Sequence, residues 1–208
     1  MAEVFLASRN VEKLAEMQRI LAEHAPDLTA LGAGDVAAYD EPVEDQADFA
    51  GNALLKARAG LRATGLPSLA DDSGLCVDAL NGMPGVLSAR WAGSPTSDER
   101  NNALLLAQLA DVPDHRRGAH FVCAVAFCHP GGTELVVHGR MAGRVIRETR
   151  GSGGFGYDVL FVPDEHSDSS GGAGRTAAEL DPVEKDRISH RGRALREIAP
   201  GVAALLAG

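Results

Sequence analysis

The sequence predicts an α/β protein, and three observations carry that prediction. Short apolar runs of strand length (Val4 to Ala7, Leu66 to Ala70, Phe121 to Phe127) are interleaved with longer segments whose apolar residues recur at helical spacing. Composition is that of an ordinary globular chain, 45% hydrophobic and 24% charged. The 208 residues suffice for one substantial domain or two tightly joined lobes, and 1–208 reads as a single domain.

The elements follow in order. Val4 to Ala7 is the first strand, leaving no room for a signal peptide. Ser8-Arg9-Asn10 leads into a helix from about Val11 to His24, with Leu14, Met17 and Leu21 on one face, Asn10 as cap and Pro26 just beyond. Lys13 falls in its first turn, where a cation opposes the helix dipole by about 0.3–1 kcal/mol. Asp35 to Asp48 is an acidic loop or edge carrying Glu41, Glu44 and Asp45. A second helix runs from about Asp48 to Thr64, with Asn52 and Lys56 sharing a face.

Leu66 to Ala70 then reads as a strand ending at Asp71-Asp72, with Ser73-Gly74 as a turn and Leu75 to Leu80 as a further apolar piece. Asn81 to Gly85 is turn-rich. Ser97 or Asp98 caps a third helix through Ala110. Phe121 to Phe127 and Glu134 to His138, joined by His129-Pro130-Gly131-Gly132, make an antiparallel hairpin, and Val145-Ile146 continues the sheet. Tyr157 to Pro163 is a strand and Ser167 to Gly174 a flexible Ser/Gly loop. Thr176 caps a short turn. Asp181-Pro182-Val183-Glu184 starts a helix with a capping box, Lys185 follows, and Ser189-His190-Arg191-Gly192 opens or continues a helix through Ile198.

Charge and composition exclude several functions. A net charge of −9 is unsuited to a nucleic-acid polymer, which needs a basic surface. No apolar segment reaches the length of a membrane span. Cys76, Cys123 and Cys128 lack metal-ligand spacing and read as reduced core residues of a cytoplasmic protein. Gly151 to Gly156 matches G-x-G-x-x-G, but a strand rather than a helix follows, so it is no dinucleotide site. Its glycines instead allow close backbone approach to a ligand, with Phe155 set against something flat. What remains is acids at a strand end, lysines at helix starts, an aromatic on a glycine loop and a His-Arg pair. Carboxylates with lysines suit a Mg²⁺-bound polyphosphate, and an aromatic beside cations suits a base.

Ser8-Arg9-Asn10-Val11-Glu12-Lys13, Phe49 through Asn52-Ala53 to Lys56-Ala57, Asp71-Asp72-Ser73-Gly74-Leu75, Gly85 through Ser88-Ala89-Arg90, Gly153-Gly154-Phe155-Gly156-Tyr157-Asp158 and Ser189-His190-Arg191-Gly192 occur in this order over nearly the whole chain. In this the sequence resembles the noncanonical purine nucleoside triphosphate pyrophosphatases, the inosine/xanthosine triphosphate pyrophosphatase (ITPase-like) family. The resemblance implies a curved mixed β-sheet with flanking helices in two lobes and an active site in the cleft between them. It also implies a Mg²⁺-dependent homodimer that hydrolyses ITP, dITP and XTP to the monophosphate and pyrophosphate. By position, Ser8, Arg9, Asn10, Val11, Glu12 and Lys13 would bind the triphosphate, assisted by Lys56. Asp72 would be general base and metal ligand, and Glu44 a second metal carboxylate. Ser73 would touch substrate, while Phe155, Gly156, Tyr157, Asp158, Lys185, His190 and Arg191 would surround base and sugar. Ser8 for Thr, Arg9 for Gly, Gly51 for Glu and the long loop from His166 to Gly174 depart from the usual pattern.

Selection against adenine would follow from hydrogen-bond polarity, Arg191 or His190 donating to the C6 carbonyl of hypoxanthine or xanthine. Three rivals stand beside this reading: a Maf-like pyrophosphatase acting on pyrimidine or methylated nucleotides, a non-catalytic nucleotide sensor, and a phosphotransferase, the last disfavoured by the missing P-loop.

Overall fold

In the computed structural model, residues 2–167 and 174–207 are described. The Ser/Gly stretch expected to be a flexible loop falls outside them except at its ends, Ser167 and Gly174. The strands are β1 (Ala2–Leu6), β2 (Leu28–Leu31), β3 (Ser68–Val77), β4 (Gly118–Cys128), β5 (Glu134–Val145) and β6 (Phe161–Pro163). The helices are α1 (Val11–His24), α2 (Phe49–Thr64), α3 (Asp98–Gln108), α4 (Pro182–Ile188) and α5 (His190–Leu206). A six-stranded mixed sheet runs in the order β2-β1-β3-β4-β5-β6. β1 is parallel to β2 and β3, and β5 is antiparallel to β6. Backbone bonds from His129 to Thr133 and from Val145 to Arg117 make β4 and β5 the expected hairpin.

The chain divides into two compact units, and the boundaries fall inside β3, β4 and β5 and between α4 and α5. The first comprises Met1–Asp72, Cys123–Gly139 and His190–Gly208; the second comprises Ser73–Val122 and Arg140–Ser189. In the first unit the strands sort their side chains by the two-residue period of a pleated sheet. Val4, Leu6, Leu69, Cys123, Val125 and Phe127 pack with Met17, Ile20 and Leu21 of α1 and Leu195, Ile198 and Val202 of α5. Their alternates Phe5, Ala7, Ala70, Ala124, Ala126 and Cys128 pack with Ala53 and Ala57 of α2. Small residues on that face let α2 lie close. A Cβ added at Gly60 would come within 3.0 Å of both Phe5 and Ala7.

The second unit has its own core. Leu105 of α3 and Leu109 at its C-terminal cap pack on Leu75, Val77, Phe121, Met141 and Val145, with Tyr157, Leu160 and Phe161. Arg117, unnoticed in the sequence, is buried there, and its guanidinium donates to the carbonyls of Leu109, Val145 and Ile146 at 2.6–3.0 Å.

Helix starts are placed as expected. Asn10 Oδ1 accepts from Lys13 N at 2.7 Å and Asp48 Oδ1 from Gly51 N at 2.8 Å. Asp181 Oδ1 accepts from Glu184 N at 2.9 Å, but the Glu184 carboxylate turns to Arg175 instead of completing a capping box.

Other expectations are corrected. Asp71-Asp72 does not end a strand, and Ser73-Gly74 does not turn; both pairs lie inside the ten-residue β3, because the acids find cations within the fold. β5 is one strand of twelve residues, not two pieces. Of Tyr157 to Pro163 only Phe161–Pro163 is strand, preceded by a 3₁₀ turn over Asp158–Leu160. The four-residue β2 went unread, and α5 runs on past Ile198 to Leu206 with Pro200 inside it.

Candidate active site

The sheet period decides what the Asp-Asp pair can do. Consecutive residues of a strand point to opposite faces, so Asp71 shares the face of Leu69 and Asp72 that of Ala70. The two adjacent carboxylates therefore serve different helices.

Asp72 faces α2. Asn52 donates its amide to Asp72 Oδ2 at 3.0 Å, and the Asn52 carbonyl is itself fixed by the backbone N–H of Gln46 at 3.0 Å. Lys56, one turn further along α2, puts its ammonium 3.6 Å from Asp72 Oδ1 and 2.6 Å from Glu44 Oε1. Burial pushes the Asp72 carboxyl above its ordinary value, Glu44 adds to this, and Lys56, Lys13 and Asn52 pull the other way. Burial works against the Lys56 charge too, but Asp71, Asp72 and Glu44 outweigh it and hold the lysine above its ordinary value. Glu44 and Asp72 thus already share one cation. Two carboxylates so disposed fit the usual protein share of a Mg²⁺ site, which otherwise takes phosphate and water oxygens. Among the described residues no group of three or more His, Cys, Asp or Glu is placed to hold a metal alone.

Asp71 faces α1 and α5. Its Oδ2 accepts from Arg191 Nε at 3.2 Å and Nη2 at 3.0 Å, and Lys13 Nζ lies 3.2 Å away. Burial alone would raise this carboxyl, yet Lys13, Arg191 and Lys56 hold it far below the ordinary range. Arg191, 1% exposed, also donates to Glu16. Arg191, expected to read a purine edge, is met on both sides by the protein's own carboxylates. Before α1, Asn10 N donates to Ser8 Oγ at 3.3 Å, and Arg9 donates to the Tyr39 carbonyl at 2.7 Å. Val11 and Glu12 face solvent. His190, the first residue of α5, is buried.

The remaining expected residues lie in the second unit. Lys185 Nζ donates to Asp158 Oδ2 at 2.7 Å and sits 4.9 Å from the Phe155 ring centroid, within cation–π range. The same Asp158 oxygen accepts from Phe155 N at 3.0 Å. Gly154 has φ 68°, and a Cβ there would lie 2.1 Å from Asp158 Oδ2, so only glycine lets the loop fold over that carboxylate. Asp98 accepts from Gly156 N at 2.6 Å, and Asn102 donates to Gly156 O at 2.9 Å. Tyr157 is anchored by its hydroxyl on the Ser88 carbonyl at 2.9 Å. Ser73 begins this unit within β3.

Sequence reasoning gave no role in the site to Asp71, Glu16, Asn52 or Asn102, and read Asp98 only as a candidate helix cap. A signal existed for Asn52, which shares a helix face with Lys56, and for Glu16, three residues from Lys13. None existed for Asp98 and Asn102, whose partner is more than fifty residues away.

A mixed sheet whose buried carboxylates are met by lysines from flanking helices sets the protein in the class of α/β proteins with a charged, mostly buried site on the sheet. The chain belongs to the Ham1 family, whose model matches residues 4–200. A dITP/XTP pyrophosphatase of Nocardia farcinica is 59% identical over 99% of this chain and 97% of its own length. One of Mycolicibacterium paratuberculosis is 56% identical over 99% and 98%. Among solved structures, a HAM1 protein from Coxiella burnetii is 40% identical with TM-score 0.82, covering 98% of this chain and all of that one. The nucleoside-triphosphatase / dITP/XTP pyrophosphatase of Mycobacterium abscessus is 53% identical with TM-score 0.74, covering 95% of this chain and 99% of that one.

Proposed function

We infer that this protein hydrolyses noncanonical purine nucleoside triphosphates (dITP, ITP and XTP) to the monophosphate and pyrophosphate. Near-full-length relatives of that name support the activity. The observation that carries the mechanism is the buried Asp72, held by Asn52 and Lys56 beside Glu44. Asp72 and Glu44 would hold Mg²⁺, which when bound offers charge neutralisation to the triphosphate and acidity to a coordinated water.

The chain's own groups do the rest. Asp72 takes the proton of the attacking water, and burial that lifts its pKa makes it a better proton acceptor than an exposed aspartate. Asn52 fixes one Asp72 oxygen and leaves the other facing Lys56. Lys56 offsets charge on the leaving pyrophosphate, and the Ser8–Lys13 segment, with the Lys13 ammonium, receives the phosphates. Ser73, Phe155 to Asp158, Lys185 and His190 serve base and sugar, with Phe155 as stacking surface. Arg191 serves the same end from its place between Asp71 and Glu16. Homodimer assembly goes with the family resemblance and a cytoplasmic setting with the three free cysteines; sedimentation of the purified chain tests the former.

Pyrophosphate release should be measured on dITP, ITP, XTP, GTP, ATP and dUTP, with Mg²⁺ and with chelator. Preference for the first three over ATP should be about a hundredfold, the cost of two unmade buried hydrogen bonds. Release of orthophosphate instead, or equal rates on ATP, overturns the reading.

A further inference from the structure

Asp71 is the buried group that the proposed chemistry leaves without a task. It is 1% exposed, and its partners come from two helices far apart in sequence, Lys13 from α1 and Arg191 from α5. We propose that Asp71 is the positioning residue of the polyphosphate site, fixing through Oδ2 the ammonium of Lys13 that meets the triphosphate. The proposal rests on the pyrophosphatase reading and adds to it the group that sets Lys13 in place.

Three observations argue for a task beyond holding the fold together. First, all the contacts converge on Oδ2, while Oδ1 is buried with no hydrogen-bond partner among the described residues. A buried acceptor left unpaired is costly, so this carboxylate is not arranged for greatest stability. Second, apolar replacements of a buried ion network are often neutral or stabilising, so stability alone gives no reason to keep one here. Third, Lys13 stands in the first turn of α1, where the helix dipole disfavours a cation. The carboxylate 3.2 Å from its ammonium offsets that field and replaces a mobile lysine by a placed one, with its side chain still 16% exposed.

Arg191 does not depend on Asp71 alone, because Glu16 also receives its guanidinium. Removing the Asp71 charge therefore falls chiefly on Lys13. Placing a cation in advance lowers the ordering cost of binding an anion, so the loss should appear in KM for the triphosphate more than in kcat.

The test is a double-mutant cycle of Asp71→Asn and Lys13→Met, read as KM and kcat for dITP-driven pyrophosphate release, with folding checked by thermal melts. Each single change should raise KM about tenfold, and the double variant should match the worse single within about threefold, since both remove the same placed charge. Effects that multiply, or an unchanged KM in Asp71→Asn, overturn the proposal. Should Asp71→Asn not fold, Asp71→Glu takes its place in the cycle. That variant keeps the charge but moves it by one methylene: a raised KM that Lys13→Met does not worsen supports the proposal, and independent effects overturn it. A wild-type chain that releases no pyrophosphate from dITP or XTP defeats the pyrophosphatase reading itself, a different result from either.

Discussion

Asp71 and Asp72 are chemically identical neighbours, and the pleat alone gives them opposite environments. At Asp71 burial is outweighed by Lys13, Arg191 and Lys56, and the pKa falls; at Asp72 burial, with Glu44 beside it, prevails over the cations, and the pKa rises. The raised value carries a sign. A carboxyl that keeps its proton more readily when folded weakens the fold as pH climbs past the unfolded value of 3.8 and through the folded one. Asp72→Asn should therefore melt no lower than wild type at pH 7, while turnover falls by about 10²–10⁴-fold, the usual worth of a general base. A calorimetric scan beside a pyrophosphate assay measures both. In the second unit, Gly154→Ala places a methyl against Asp158 at a positive φ, and strain of this kind costs about 1–3 kcal/mol. Its melting temperature should drop, and KM for dITP should rise as Phe155 and Lys185 lose their shared carboxylate.

At the scale of elements, α2 is a short delivery arm. The Asp48 cap fixes its first turn, and Asn52 and Lys56 follow at four-residue intervals on one face. Asp48→Ala should cost about 1 kcal/mol, read as a lower denaturant midpoint with an unchanged slope. Helices of this kind were legible because their signals are local. Asn10, Asp48 and Asp181 cap where a short polar side chain precedes an amphipathic run, and α1 spans the residues its periodicity marks. Strand β3 was misread because Asp-Asp-Ser-Gly has turn chemistry, and nothing nearby in sequence supplies the cations that let acids stay in a sheet. Strand β2, four residues at the sheet edge and only half-buried, has too few residues to show a period.

For the whole molecule, the acidic surface and the paired interior predict different responses to pH. Asp71 resists protonation in the fold but takes a proton near 3.8 when unfolded, so the unfolded chain binds more protons in that window. Its stabilisation is complete above about pH 5 and is lost as pH falls through 3.8 and below. Urea midpoints should hold steady from pH 7 to about 5 and then decline, and the decline should be shallower in Asp71→Asn. An equal decline in both removes Asp71 as a cause of acid unfolding.

The sequence by itself determined the class of protein, most helix starts and the roll of chemistry-bearing residues, because caps, periodicity and motif order act over a few positions. Only the tertiary structure decided which of two adjacent aspartates meets Lys56 and which meets Lys13, and that Arg191 reaches a carboxylate 120 residues away. Those outcomes depend on which helix covers which face of the sheet, a choice made by packing between distant segments.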